Sequence, residues 1–551
     1  MNKKCFRSMM AAPCLLLAAA LSRPASTVHA QSAAGGYQEY FDRVIPQQLE
    51  SLHIAGAAVA VVEGGETVFH KGYGFADVEN GKRVQPETTL FRIGSVSKLF
   101  TWTAVMQQME QGQLDLDADV NAYLDFQIPD TYPQPVTLRR LMTHTAGFED
   151  RVAGYEALPG EKMVPLGEWL ESHIPARIRA PGEIASYSNY GAALAGYIVE
   201  RVSGLPFEEY LERNILVPLG MRRTSIRQPL PEGWAVDGSN GYVYSGGRFA
   251  AMDFESIVPF PAGGMTSTVA DMARFLSAYL QGGEYSGARI LQENTALLMQ
   301  TRLFGNDPRA NGWAYGFYEM SRNGVRVVGH CGDTRLFHTL AAILPEKNLG
   351  IFVAFNSENA FDVHALLLED FLDAFFPADA SDPSQVSLSP DELAKFAGSY
   401  RQTQSLAQTT VEKAANLLQP VIVQPTADGG LLLSSASYGL YSLIPVEPMA
   451  FAASDDPQNV LFFREDPSGG IMRAFLSSDP TVVFERLPWY GDYTLHYLIL
   501  TGAVCLFLSA LAAAFIRWII GRIRKQPSVS VRPAVLGRRV FTLMAYRLPP
   551  K

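Results

Sequence analysis

The chain has little cysteine, four residues in 551: Cys5, Cys14, Cys331 and Cys505. They lie in a leader-like start, one central site and a late apolar run, so they form neither a disulfide framework nor a metal-ligand spacing. No H-E-x-x-H pattern is present, which excludes the common helix-borne zinc hydrolase site. No G-x-S-x-G elbow is present, which excludes the usual Ser-His-Asp arrangement on that turn. After Asp492 there is no Asp or Glu, although Arg and Lys recur to the end. A basic tail behind an apolar run is a signal of membrane topology, so nucleic acid is not expected as a partner. Neither internal repeats nor any feature calling for a metal or cofactor is found.

What is present is a chain long enough for about two or three domains, 48% hydrophobic, with a net charge of -10. Residues 1–30 read as a secretory signal. Lys3, Lys4 and Arg7 precede an apolar stretch, and Val28-His29-Ala30 resembles a cleavage site. At the other end Tyr497 to Ile516 carries no charge, is flanked by Trp489, Tyr493 and Trp518, and is followed by Arg517, Arg522, Arg524 and Lys525. That is long enough to cross a bilayer, with the basic end cytoplasmic. The two ends together predict a single-pass membrane protein with its folded part outside the cytoplasm.

Between them, apolar β-rich runs at Ala55–Val62 and Thr67–Gly72 flank Glu63-Gly64-Gly65-Glu66, a hairpin signal. Helical patterns follow, among them a run after Gly94 that stops near Gly112. Another opens at Thr268-Val269-Ala270-Asp271, which reads as a capping box. Strands return at Val325–Gly329, Phe337–Leu344 and Leu349–Phe355, before a helix over Asp362–Phe375. Strands at both ends with helices between predict one sheet assembled from distant parts of the chain. The expected organisation is a helix-flanked unit over 37–376, a linker over 377–389, a small antiparallel β-domain over 390–488, a membrane helix over 495–516 and a basic tail over 517–551. Five strands are expected in the β-domain, at Gly430–Ser434, Gly439–Val446, Val460–Phe463, Ile471–Leu476 and Val482–Leu487. It holds no constellation of chemical groups, so a structural or lid role is its default.

Three short patterns carry chemistry. Ser95-Val96-Ser97-Lys98 sits at a helix start, with a hydroxyl and an amine one turn apart on one face. A serine hydroxyl needs a base to become a nucleophile, and a lysine serves only if burial or nearby positive charge lowers its pKa. Tyr187-Ser188-Asn189 lies on a loop before a helix. Gly329-His330-Cys331-Gly332 ends a strand.

In this order the three patterns resemble the penicillin-recognising serine hydrolases: class C β-lactamases, D-alanyl-D-alanine carboxypeptidases of the same clan and their esterase relatives. The resemblance spans roughly 40–376 and includes Leu141-Met142-Thr143-His144-Thr145-Ala146-Gly147 and Val217-Pro218-Leu219-Gly220-Met221. It implies an α/β fold of the β-lactamase/transpeptidase kind, with an antiparallel sheet flanked by helices. It also implies Ser95 as acylated nucleophile, Lys98 as its proton partner, and Tyr187 as general base and later acid. Asn189 would bond substrate or Lys98, His330 and Gly332 would line the substrate side, and the N–H groups of Ser95 and Asp333 would form the oxyanion hole. His144 reads as structural, and Cys331 as a small strand residue where relatives often carry Thr or Ser.

His330 is the departure that matters. Dedicated β-lactamases usually carry Lys there, a fixed charge for the drug's carboxylate, whereas histidine titrates near neutrality. The reading is therefore a membrane-tethered serine hydrolase of ester or amide bonds acting on a small molecule or peptide: an esterase, D-amino-acid peptidase or carboxypeptidase. A true β-lactamase and a penicillin-binding sensor that acylates without turnover stay open as alternatives. Substrate identity and oligomeric state are not legible.

Overall fold

A computed structural model describes residues 33–523 except 152–153, 158–162, 254–255, 379–383, 405–407, 436–438 and 468. The leader expected over 1–30, Cys5, Cys14 and the tail beyond Ile523 lie outside the described residues, as does part of the expected linker.

The central sheet has seven strands in the spatial order Tyr318–Glu319, Val328–Asp333, His338–Leu344, Leu349–Phe355, Gly56–Glu63, Glu66–Asp77 and Lys82–Arg83. The first hairpin of the unit joins its last strand, antiparallel, with Val59 opposite Val353. Strand residues alternate between faces, and here both faces are covered. Ala58, Ala60 and Val62 pack into a core with the helices Ser97–Glu110, Asn189–Ser203 and Val269–Leu280, while Ala57, Val59 and Val61 pack towards Val363–Phe375. Double coverage explains why the Ala55–Val62 run is continuously apolar instead of alternating. The helix-flanked antiparallel sheet, the small β-domain and the apolar helix expected from the sequence are all present.

Several details differ from the sequence expectation. A helix over Ala33–Ser51 precedes the first strand and buries Tyr37, Tyr40, Phe41 and Ile45, three of them against Phe371. Pro46 inside it masks the helical pattern, because proline ordinarily breaks a helix interior. At Thr268 only half of the expected capping box forms. The Thr268 hydroxyl accepts from Asp271 N at 3.2 Å, but the Asp271 carboxylate is turned to Arg223 N at 2.7 Å and the Thr224 hydroxyl at 3.0 Å.

The β-domain is a closed eight-stranded antiparallel barrel running from Gly398–Gln402 to Val483–Arg486, sealed by Tyr400 pairing with Arg486. Closure leaves no edge for another chain to add to. Three of its strands, Gly398–Gln402, Val421–Pro425 and Ala450–Ala453, were not expected. The chain then enters the helix Tyr493–Ile523, which is long and apolar enough to cross a membrane. Nearly all its apolar residues are exposed, Tyr493 alone being buried, so it is not a core helix.

Candidate active site

Ser95 lies in a single 3-10 turn, Gly94–Val96, that runs straight into the helix Ser97–Glu110. Backbone N–H groups in a first turn have no partner within the helix, so the Ser95 N–H is available. Gly94 adopts the left-handed region (φ 49°), and a Cβ there would stand 2.7 Å from Asp333 N. Gly332 faces the same turn, where a Cβ would meet Ile93 O at 2.1 Å. These two glycines let strand and turn approach closely enough to share a cleft.

The orientation of the Asp333 amide follows from the strand register. Thr334 N donates to Phe337 O across the hairpin end, at 2.9 Å. Hydrogen-bonded and non-bonded pairs alternate in an antiparallel ladder. Asp333 and His338, the next pair, are therefore non-bonded, and the Asp333 N–H points away from the neighbouring strand. On that other side the strand Tyr318–Glu319 pairs only as far as Gly329, which leaves the edge beside Ser95 open. The Asp333 carboxylate accepts from His338 Nδ1 at 2.6 Å, with His364 Nε2 3.7 Å away.

Lys98 is fully buried, and its Nζ lies 2.9 Å from Ser95 Oγ, 2.7 Å from Asn189 Oδ1 and 2.7 Å from Ala262 O. Burial holds the amine well below its ordinary pKa, against the pull of the Asp150 carboxylate. A neutral amine has two N–H donors and one lone pair. The carbonyls of Asn189 and Ala262 can only accept, so they take the two N–H groups. The lone pair then faces Ser95 Oγ, the only one of the three partners with a proton to give.

Tyr187 also reaches the serine. Its phenol is buried, bonds to the Ser95 side chain, and has its pKa raised by burial; the bond to Ser95 opposes that rise. A phenol that keeps its proton is a donor. Lys98 Nζ lies 4.7 Å from the centre of the Tyr187 ring. His144 supports that ring from behind, stacked at 4.3 Å, while its Nδ1 accepts from Ser188 N at 3.0 Å. Trp313 closes the other flank of His144, edge-on at 4.7 Å. Ser188 caps the helix Asn189–Ser203, accepting from Gly191 N at 3.1 Å, which orients Asn189 towards Lys98.

His330 is 2% exposed, and its Nδ1 bonds to the Cys331 carbonyl. A carbonyl only accepts, so Nδ1 carries the hydrogen. Burial and the nearby Lys98 push the imidazole pKa down to about 3, and His330 brings no charge to the site at neutral pH. Burial, with the nearby Asp333 carboxylate, also raises the Cys331 thiol pKa, which disfavours the thiolate form.

The structure thus brings Ser95, Lys98, Tyr187 and Asn189 into one cluster, with Gly332 and Asp333 across the cleft and His330 behind them. Ser95 stays partly exposed while Lys98 and His330 are covered. Asp150, Ala262 and Trp313 were not anticipated. Nothing in their local sequence signals a role, since each reaches the site only through the fold. Among the described residues no group of three or more His, Cys, Asp and Glu is placed to hold a metal ion.

A protein-family model described as Beta-lactamase matches residues 41–374. Protein flp of Staphylococcus aureus (strain N315) is 26% identical over 333 residues, covering 59% of this chain and 64% of that protein. The chain therefore spans just under two thirds of the length of the first curated relatives it matches. The D-alanyl-D-alanine-carboxypeptidase/endopeptidase AmpH of Escherichia coli (strain K12) is 28% identical, covering 54% of this chain and 78% of that protein. In fold, the chain is similar to an octameric penicillin-binding protein homologue from Pyrococcus abyssi (TM-score 0.53, 23% identity) and to SurE (TM-score 0.59, 24% identity). Each likeness covers 82% of this chain and 100% of the other.

Proposed function

The chain belongs to the beta-lactamase family, and from that premise we propose that it is a serine hydrolase cleaving ester or amide bonds through an acyl-enzyme on Ser95. The observation that carries this reading is the arrangement at Lys98. The buried Nζ lies within hydrogen-bond distance of two carbonyls and of Ser95 Oγ, so that in its neutral form, with both N–H groups on the carbonyls, its lone pair is left for the Ser95 hydroxyl. In acylation the Ser95 proton passes to Lys98, and Oγ bonds to the substrate carbonyl carbon. The resulting O⁻ accepts from the N–H groups of Ser95 and Asp333. The tetrahedral centre collapses, and the leaving group departs with a proton from the Tyr187 hydroxyl, which Lys98 restores. Water then repeats the sequence on the acyl-enzyme and frees the acid. Losing one oxyanion donor typically costs about 10²–10³ in rate.

Family resemblance implies Tyr187 as the resting base. A raised phenol beside a depressed amine favours the opposite division, with Lys98 as acceptor and Tyr187 as donor. The neutral His330 offers no cation for a substrate carboxylate, which weighs against a specialised β-lactamase. In the same reading, Tyr493–Ile523 anchors the protein in a membrane with the hydrolase unit on the non-cytoplasmic side. That part rests on the helix composition, the basic residues after it and the signal-like start. Such a location, and the likeness to AmpH, make peptides ending in D-amino acids the first substrates to try.

The test is a turnover panel of a nitrophenyl ester, a D-Ala-D-Ala peptide and a chromogenic cephalosporin, run with wild type and Ser95→Ala. Sustained turnover of the ester or peptide, lost in Ser95→Ala, is expected. A stoichiometric burst without further product would point to the non-turnover sensor, and equal activity in Ser95→Ala would reject the assignment.

A further inference from the structure

The chemistry above makes no use of the barrel, yet the barrel grips the segment that ends in Tyr187. Arg179 forms a two-pronged pair with Glu485 of the barrel, at 3.1 and 2.7 Å, its side chain 5% exposed. Arg473 of the barrel pairs with Glu183 and lies 3.7 Å from the same Glu485. Two reciprocal bonds follow. The Thr403 hydroxyl donates to Ala185 O at 3.1 Å, and the Ser186 hydroxyl donates to Thr403 O at 3.1 Å. Asn306 bridges the two units, accepting from Ala185 N at 3.2 Å and donating to Pro480 O at 3.2 Å.

The side chains along this segment alternate. Ile184 enters a small apolar cluster with Ala450, Phe462, Phe475 and Val483 of the barrel. Ala185 and Tyr187 enter the opposite cluster, with Trp313 and Tyr318 of the hydrolase unit. The segment therefore lies between barrel and active site as a strand lies between two layers, one face to each.

We propose that the barrel is a positioning element of the active site, clamping Arg179–Ser186 so that the Tyr187 hydroxyl is held at Ser95. The inference rests on the proposed function, in which Tyr187 gives its proton to the leaving group. It assigns Thr403 and Glu485, residues more than two hundred positions away in sequence, to the placement of that proton. Neither touches substrate, so both act through Tyr187.

The test uses the full chain carrying Thr403→Val, Glu485→Gln or both, below the melting temperature of each. Activity is read on two esters of one acid, a nitrophenyl ester with a good leaving group and an ethyl ester with a poor one. A misplaced proton donor harms the poor leaving group selectively, whereas general loosening harms both alike. The double variant is expected to lose about 10-fold or more in kcat/KM on the ethyl ester and less than about 2-fold on the nitrophenyl ester. Tyr187→Phe should show the same pattern more strongly. If the double variant does not fold, Thr403→Val alone, which keeps the side-chain volume, carries the test. Equal losses on the two esters in the barrel variants, or no loss on either, would overturn the clamp. Equal losses in Tyr187→Phe would overturn the assignment of Tyr187, and the clamp with it.

Discussion

Asn189→Asp puts a carboxylate where a neutral carbonyl now accepts from Lys98 Nζ at 2.7 Å. At that separation and an effective dielectric constant of about 20, opposite unit charges attract by about 6 kcal/mol. Even with half of that spent on desolvating the new carboxylate, about 3 kcal/mol remains to hold the ammonium form. In the proposed reading burial lowers the pKa of the wild-type amine far enough for it to act as a base, so activity is present above that lowered value. The new carboxylate raises it, and activity should be lost at neutral pH and return as the pH is raised. The assay is kcat/KM on a nitrophenyl ester from about pH 5 to about pH 10, where a mispaired general base costs about 10²–10⁴-fold. Asn189→Ala is the control: it removes one hydrogen bond without adding charge, worth about 1 kcal/mol or roughly 5-fold, and leaves the profile in place. If Asn189→Asp matched Asn189→Ala at pH 7 with an unmoved profile, the neutral-lysine argument would be wrong.

Three further outcomes follow from the same geometry. Gly332→Ala drives a Cβ to 2.1 Å from Ile93 O, a backbone atom that cannot swing aside. Thermal melting should show a loss of about 1–3 kcal/mol, and turnover should fall with it as the oxyanion donors separate. His144, His330 and His364 are all held below the ordinary imidazole value by burial, with Lys98 adding to the first two and His338 to the third. Their folded-state pKa values lie below the unfolded ones, so their contribution is present above about pH 6.5 and drains as the pH falls. For His330, lowered to about 3, the loss by pH 5 is about 2 kcal/mol. Urea midpoints at pH 7 and pH 5 should differ less in His330→Gln than in wild type; an equal difference would contradict the assignment. Ending the chain after Tyr497 keeps Tyr493, whose hydroxyl donates to Tyr400 O at 3.1 Å, and the 2.7 Å bond between Ser399 and Asp492. That form should leave the membrane fraction and retain ester turnover, and persistent sedimentation with membranes would count against the anchor.

The helix-flanked sheet was legible because its central strands, Gly56–Glu63, His338–Leu344 and Leu349–Phe355, are largely continuous apolar runs and its helices are punctuated by Gly and capping residues. The Ser95–Lys98 spacing was legible because a helical turn makes those positions neighbours. What could not be read was set by long-range contact. Ala262 reaches Lys98 across 164 positions, and Glu485 reaches Arg179 across 306. Neither has a local pattern. The protonation states depend on burial, so the sequence pointed to a titrating His330, whereas the fold keeps it neutral. Barrel closure was hidden for a similar reason. The strands Val421–Pro425 and Ala450–Ala453 are short, and their pairing partners, not their own composition, make them strands.

Intact-mass spectrometry of the full chain, quenched during turnover of an ester, addresses the covalent step most directly. A mass gain equal to the acyl group, mapped to the peptide containing Ser95 and vanishing as substrate runs out, is the predicted result. An unmodified Ser95 peptide throughout sustained turnover would contradict the acyl-enzyme and everything built on it.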